Sequence, residues 1–493
     1  MTVTFRADGS SKFAPSNRWG YFPAAALGWR MSEEAFLNDV DWLDNLKLRV
    51  SYGEVGNDGI NSSLWSQNWE ATSDKRYQGA VNGAFLPSYS LGADMANKDL
   101  KWETTITRNI GVDFGFFNSR LTGTIDAYWN TTKDLLMKTA IPGITGFTST
   151  YANVGQTSNK GIEIALQGVL VKTRDWNVTA GFNINFNRGK VDKLADNVTG
   201  LYGTEWATSS TFPKSDYVLK EGRPVGLVRG LTADGFYTTD DFTYENGVYI
   251  LKEGVADVSS AVFPNYHLHN GMNERPAGQL AYPGMAKFKD LNDDGIINDD
   301  DVDVIGDMTP VHTGGFNINA TYKNFDLGLY FNWSYGNEIY NVNKLAALYG
   351  YKEGAVYENK LSIVKDCYKI YDVVNGELVA LTTPEQLNAA NANAKLPLAY
   401  SENGYVSTLG IEDGSYLRLN TLTLGYTLPK SMLQKAGISN LRVYGSIYNV
   451  FTITGYSGID AEVSTSTSTK TYPQLGMDWG TYPRARSFVL GVN

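Results

Sequence analysis

The sequence predicts an all-β chain folded as an antiparallel transmembrane β-barrel. Three observations carry that prediction. Runs of ten residues or more alternate apolar and polar positions with period two, which is the length a tilted membrane strand needs and well above that of an ordinary strand. The connections between those runs alternate between very short and very long. Composition favours strands and turns, with aromatic residues at 13% of 493 residues, 31 of them Tyr, and 50 Gly.

The alternation is clearest in three stretches. From 176 to 187, Trp176, Val178, Ala180, Phe182, Ile184 and Phe186 alternate with Asn177, Thr179, Gly181, Asn183, Asn185 and Asn187. From 325 to 335, Phe325, Leu327, Leu329, Phe331, Trp333 and Tyr335 alternate with Asp326, Gly328, Tyr330, Asn332 and Ser334. From 121 to 130 the apolar phase is Leu121, Ile125, Ala127 and Trp129, against Thr122, Thr124, Asp126 and Asn130. A soluble β-sandwich also alternates, because one face of each sheet meets a core. Strand length, and Trp and Tyr at the strand ends where an interfacial girdle belongs, favour the membrane barrel.

In chain order the candidate strands lie near 1–8, 22–30, 45–53, 101–116, 120–130, 159–170, 174–187, 312–321, 325–336, 414–427, 441–452 and 484–493. Joints at 117–119, 171–173 and 322–324 are tight, and those at 31–44 and 428–440 are modest. Long segments at 54–100, 131–158, 188–311, 337–413 and 453–483 separate them. Such a rhythm places short turns on the periplasmic side and long loops outside, whereas in a soluble domain loops of this length argue against the assignment. No helices are expected. The long segments are rich in Gly, Asn, Ser and Thr, with a low-complexity patch at 464–469 that reads as a loop tip.

Composition also excludes function classes. With 42 Lys and Arg against 52 Asp and Glu, the net charge is −10 and no basic stripe exists to neutralise a nucleic-acid backbone. A single cysteine, Cys367, rules out an internal disulfide framework. No segment approaches the ~20 apolar residues of a membrane helix, which leaves a β-barrel open. The amino terminus, Met1-Thr-Val-Thr-Phe-Arg, starts as if inside a strand, as expected of a piece of a longer protein. No zincin, nucleophile-elbow, Walker or dinucleotide motif occurs in a fitting context, so no enzyme is expected. His267 and His269 stand close enough to approach one metal, but no acidic residue is spaced to complete a site with them, and they read as polar loop residues.

One stretch carries ligand spacing. "DLNDDGIINDDD" (290–301) sets Asp290, Asn292, Asp294, Gly295, Ile296, Asn298 and Asp301 at positions 1, 3, 5, 6, 7, 9 and 12 of an EF-hand calcium loop. Asp290, Asp294 and Asp301 offer carboxylates, Asn292 and Asn298 side-chain oxygens, and Ile296 its carbonyl, the hard donors calcium takes. Asp301 replaces the usual bidentate Glu, which points to weaker binding. Neither flank can hold a helix, given Pro283 and Gly284 before it and Gly306 and Pro310 after it. The alternative is a solvated acidic turn. Tyr202, Trp206, Tyr217 and Tyr237 are loop aromatics able to stack on sugar rings, although such residues more often pack loops together.

Five stretches then resemble one family together and in order: "FRADGSSKFAPSNRWGYFPAAALGWRMSEEAF" (5–36), "SNKGIEIALQGVLVKTRDWNVTAGFNINFNRGKV" (158–191), "GRPVGLVRGLTADGFY" (222–237), "GDMTPVHTGGFNINATYKNFDLGLYFNWSYGNEIYN" (306–341) and the segment 414–463 that begins "GSYLRLNTLTLGYTLPK". They resemble the SusC/RagA type of TonB-dependent outer-membrane transporter. The resemblance implies a roughly 22-stranded plugged barrel, of which residues 1–493 supply about twelve strands as the carboxy-terminal half, 188–311 forming a long extracellular loop region and the plug and TonB box being absent. It implies import of oligosaccharides or peptides across the outer membrane of a Gram-negative bacterium, energised by the TonB complex and lidded by a SusD-like surface lipoprotein. "RSFVLGVN" departs from the pattern, because it lacks the terminal aromatic residue usual in such barrels. A rival reading is a secreted calcium-stabilised β-rich binding module or adhesin.

Overall fold

Among the described residues, twelve strands pair in chain order into one antiparallel ladder. They are β1 (Thr2–Gly9), β2 (Trp19–Arg30), β3 (Leu43–Asn57), β4 (Glu103–Phe116), β5 (Leu121–Ala140), β6 (Ser149–Lys172), β7 (Trp176–Lys193), β8 (His312–Tyr322), β9 (Phe325–Tyr335), β10 (Tyr416–Thr427), β11 (Arg442–Thr454) and β12 (Ser487–Val492). A short segment, Asp94–Met95, adds in parallel to the start of β6. The structure, a computed structural model, describes residues 1–72, 79–86, 88–195, 198–263, 275–348, 361–399, 404–434, 437–465 and 474–493.

Register shows why the period-two signal is so regular. One row of partners crosses β3 to β10 as Arg49, Gly111, Asp126, Glu163, Asn185, Thr313, Ser334 and Tyr416. The row one residue away reads Leu48, Val112, Ile125, Ile164, Ile184, Gly314, Trp333 and Leu417. Successive residues of a strand point to opposite faces, so the first row lines one side of the sheet and the second the other. Ile125, Trp129, Ile162, Phe182 and Phe186 of the apolar phase are exposed, as a lipid-facing surface requires.

Aromatic pairs mark both edges of that surface. At the short-turn end Trp42 packs on Phe116, Trp176 on Tyr322 at 4.4 Å and Phe325 on Tyr426 at 4.6 Å between ring centroids. At the long-connection end His312 stacks on Tyr335, meets Phe186 edge-on, and accepts at Nδ1 a hydrogen bond of 3.0 Å from Trp333 Nε1. Trp176 and Phe186 on β7 are ten residues apart, which for a tilted strand spans about 25 Å, the height of the apolar band of an outer-membrane barrel.

Two expectations are corrected. Segment 131–158 is not a long connection, because β5 and β6 continue as a hairpin to Ala140 and from Ser149. Asp134 adopts φ 59°, and the register shifts between Lys133 and Leu135 and again between Leu135 and Leu136, so a bulge slips the alternation and erases its signal. Helices are also present, at Val342–Leu348, Pro384–Asn391 and Lys430–Leu433. The second begins with Pro384 after a reciprocal capping box between Thr383 and Gln386.

The largest apolar core among the described residues lies off the sheet, in the long connections. Tyr237, Phe242, Tyr249, Phe263, Tyr282, Phe288 and Ile297 from 188–311 pack with Tyr368, Ile370, Leu381, Leu387 and Tyr405 from 337–413. Bridges Phe212↔Tyr405 and Leu231↔Ser407 join the two segments. The last connection joins through Tyr217 Oη, which donates 2.8 Å to the Leu475 carbonyl, and through the pairing of Tyr340 with Met477. Three connections therefore form one folded domain over one end of the sheet.

On the polar face, Arg49 donates from Nε to Asp113 at 2.9 Å and from Nη2 to Asp126 at 2.9 Å, crossing β4 where Gly111 separates them. A Cβ on Gly111 would stand 2.6 Å from Arg49 Nη2, so only glycine leaves the guanidinium a path across the backbone. Arg442 reaches Asp326 in the same way over Gly425. Gly111→Ala is expected to lower the temperature at which the folded protein loses its heat-modifiable gel mobility, by the equivalent of about 1–3 kcal/mol of overpacking. Gly143→Ala, at a position with open space around it, should leave that temperature unchanged.

Candidate functional site

The acidic loop 290–301 is preceded by the short strand Ala286–Phe288 and closed by a single 3-10 turn, Asp299–Asp301, so no helices flank it. Gly295 turns the corner at φ 83°, a conformation that costs glycine nothing. Asp290 accepts from the N–H groups of Asp294 and Gly295, Asn292 Oδ1 from Asp294 N, Asp294 Oδ1 from Ile296 N, and Asn298 Oδ1 from Asp300 N. The Ile296 carbonyl accepts from Asn298 Nδ2 at 3.1 Å. Asp301, 0% exposed, accepts from Leu291 N at 2.7 Å and Asn298 N at 2.8 Å and so ties the two ends of the loop together. Ile296–Ile297 pairs with Asp257–Val258, and buried Ile297 anchors the loop in the core.

The donor set is all oxygen and suits a hard cation, and each carboxylate keeps lone pairs beyond those facing loop N–H groups. Among the described residues no three His, Cys, Asp or Glu side chains are gathered at metal-holding distance, so the loop carboxylates stand apart in this arrangement. Backbone N–H groups hold the loop's shape. His267 and His269 lie outside the described residues, as do residues 466–469 of the low-complexity patch.

The second feature is the polar wall. A cavity of about 620 Å³ is lined by Thr124, Asp126, Glu163, Asn183, Asn185 and Asn332 among others, the polar phase of β5, β6, β7 and β9. Amides and hydroxyls link along it: Asn420 Nδ2 donates to Asn332 Oδ1 at 2.6 Å, Asn332 Nδ2 to Tyr416 Oη at 3.1 Å, and Tyr330 Oη to Asn319 Oδ1 at 3.0 Å. Together these residues form one continuous polar wall. Asp126, Asn183, Asn185 and Asn332 stood in the polar phase of the sequence, but nothing there showed that they share one wall.

Arg418, on the same wall and almost fully buried, is where the last connection is fastened. It pairs with Asp460 and, at 3.4 Å, with Glu462, while Arg484 reaches Asp460 at 3.4 Å and Glu462 at 2.9 Å. Two arginines and two carboxylates thus alternate in one network.

The candidate stacking aromatics divide. Tyr217 and Tyr237 are buried and serve the core, where Tyr237 Oη donates 2.6 Å to the Ala256 carbonyl. Trp206 is half-buried and packs edge-on against Tyr340. Tyr202 is exposed, and the Arg229 guanidinium lies 4.8 Å from its ring centroid. Burial pushes the Cys367 thiol up to about 11, so at neutral pH it is protonated and unreactive.

A lipid-facing apolar surface between two aromatic belts, a polar inner wall and a folded domain at one end define a transmembrane β-barrel of the outer-membrane kind. A family model described as TonB dependent receptor-like, beta-barrel matches residues 1–273. TonB-dependent receptor P3 of Formosa agariphila is 31% identical over 502 residues, covering 100% of this chain and 43% of that relative. TonB-dependent receptor SusC of Bacteroides thetaiotaomicron is 30% identical, covering 100% of this chain and 42% of its own. Of solved structures, the RagAB peptide importer in its closed-closed state superposes with TM-score 0.71 at 24% identity, over 99% of this chain and 45% of that one. The chain belongs to the TonB-dependent receptor-like β-barrel family, and the resemblance to the SusC/RagA type is borne out. It is an outer-membrane protein of a Gram-negative bacterium, which displaces the secreted module. It spans less than half the length of the curated relatives it matches.

Two measurements probe how the domain formed by the long connections is held. Arg418→Met leaves Asp460 buried with a weakened partner set, and unfolding of the last connection, followed by hydrogen exchange, should become easier by about 3 kcal/mol. The second is acid titration. Burial pushes Asp241 up, but Lys287 Nζ at 2.7 Å and the Thr238 N–H outweigh it and hold the carboxyl below its ordinary value. In Glu412 burial is likewise outweighed, by the Ser457 N–H and hydroxyl and by Lys344. Groups with depressed folded pKa values stabilise above their unfolded value and lose that contribution as pH falls through the folded one. Protease resistance of the domain should therefore hold from pH 7 to pH 5 and fall below about pH 4, with Asp241→Asn flattening that fall.

Proposed function

We propose that the protein is part of an importer that carries oligosaccharides or peptides across the outer membrane, energised by the TonB complex and working with a SusD-like surface lipoprotein. The observation that supports this reading most is the continuity of the polar wall with the folded extracellular domain. A passive pore needs the wall alone, whereas a domain with its own core, fastened to the wall through Arg418, gives a rigid mouth on which ligand and lid can meet. The reading is of binding and passage with no catalytic step. Deleting the gene in its native host should abolish uptake of one class of labelled oligomer, and complementation with the full-length gene should restore it. Unchanged uptake of every labelled oligosaccharide and peptide tried would end the proposal.

We also infer that loop 290–301 takes one calcium ion as a structural staple, held by Asp290, Asn292, Asp294, the Ile296 carbonyl, Asn298 and Asp301. Binding at about 10⁻⁴ to 10⁻³ M suits a site in extracellular fluid. The ion supplies charge neutralisation for the three ligand carboxylates, Asp290, Asp294 and Asp301, which gather toward one another only against their mutual repulsion. Calcium at tenfold excess over Kd should raise the domain's stability by about 1.4 kcal/mol, read as slower proteolysis. Asp294→Ala should abolish both the calcium isotherm and that protection, and a flat isotherm for the unaltered full-length protein would refute the site.

A further inference from the structure

In the extracellular domain, the strand Leu227–Gly230 lies inside a four-stranded sheet between Tyr217–Leu219 and Asp303–Asp307. Within it Val228 and Gly230, on either side of Arg229, are buried, and the register slips between Val228 and Arg229. Arg229 lines a cavity of about 420 Å³ together with Lys214, Ser215, Thr211, Ser260 and Asp299. That volume suits a ligand group the size of one sugar or one amino-acid residue.

The guanidinium has five N–H donors in a planar fork. One, on Nη1, goes to Ser215 Oγ at 2.8 Å, and the cation rests on the Tyr202 ring. The others meet no protein acceptor among the described residues. The carboxylate next to Ser215, that of Asp216, is not available, because it is buried and accepts from the N–H groups of Glu205, Trp206 and Ala207. Asp299 acts on Arg229 through its charge from the cavity wall without forming an ion pair. Lys214 is exposed on the same cavity and also makes no ion pair among the described residues. One hydroxyl, one ring and a charge beyond pairing distance offset only part of the desolvation cost of a half-buried cation that has no ion-pair partner among the described residues, and a ligand anion would supply the rest.

We propose that this cavity binds an oxyanion, a carboxylate or a sulfate ester, carried on a hydroxylated or peptide-like group, with the Arg229 fork as its main contact, Lys214 as a second cation and the Ser and Thr hydroxyls on the rest of the group. The planar fork matches two oxygens of either anion, and a neutral sugar offers nothing to offset it. Asp299 opposes the anion and sets the affinity from the other wall. That the bound group belongs to the imported oligomer rests on the import reading; the binding does not.

Titration calorimetry on the full-length protein in detergent, with D-glucuronate, D-glucose 6-sulfate and neutral D-glucose as probes, tests the site. Binding of either anion but not of glucose, weakening as salt is added, is expected. Arg229→Gln should weaken it by about tenfold, Lys214→Ala by roughly threefold, and Asp299→Asn should tighten it by roughly threefold. The last two residues are exposed, so their variants fold whatever becomes of Arg229→Gln. Which anion binds names the source chemistry. Glucose binding as well as the anions, or anion binding untouched by both Arg229→Gln and Lys214→Ala, overturns the proposal. Lost binding with intact oligomer uptake sinks the site alone, and intact binding with no uptake of any oligomer sinks the import reading alone.

Discussion

Within the hydrocarbon of a membrane there is no water to accept a hydrogen bond, so every N–H and C=O of a spanning strand must find its partner on the next strand. The rest of this structure follows from that condition. Twelve strands answer it with one unbroken ladder, and the ladder commits both faces of the sheet: one to lipid, the other to a polar interior. Neither face can then be buried in a conventional core. Apolar burial moves to the long connections, which is why the large buried side chains, Tyr237, Tyr249, Tyr282 and Tyr340 among them, belong to segments that look like loops.

That displacement explains the length of the connections. A connection that only joined two strands would need a few residues, as at the short turns, but one that contributes to a core must carry enough apolar surface to order itself. Segments 188–311 and 337–413 do so jointly, 453–483 adds Met477 to a second cluster with Tyr217 and Tyr340, and the acidic loop enters through Ile297 and the buried carboxylate of Asp301. On the wall below, polar chemistry meets the opposite problem: arginines must reach carboxylates across an intervening strand. Gly111 and Gly425 solve it by having no side chain where the guanidinium passes.

How much could be read in advance differed by scale. All twelve strands were legible, because lipid on one side and polar groups on the other impose period two residue by residue. The upper half of the β5–β6 hairpin was not, since the bulge at Asp134 shifts the phase and local pattern has no memory across it. The tight turn at Gly295 was legible from its near neighbours, while the role of Tyr217 and Tyr237 was not. Nothing in the immediate neighbours of Tyr202, Tyr217 or Tyr237 marks which of them is buried, because that is set by what packs on them from segments far along the chain.

The sequence alone therefore determined what depends on near neighbours: strand positions apart from the far half of β5 and β6, the side of the sheet each residue faces, and the turn at Gly295. Tertiary structure decided what depends on partners distant in the chain. It assembled Arg49 with Asp113 and Asp126, Arg418 with Asp460 and Glu462, and the tyrosine core from separate connections. It also left Arg229 in a cavity beside Lys214 with no carboxylate in pairing range among the described residues. Periodicity is a property of adjacent residues and survives in one dimension, whereas charge pairing and burial are settled only when the chain closes on itself.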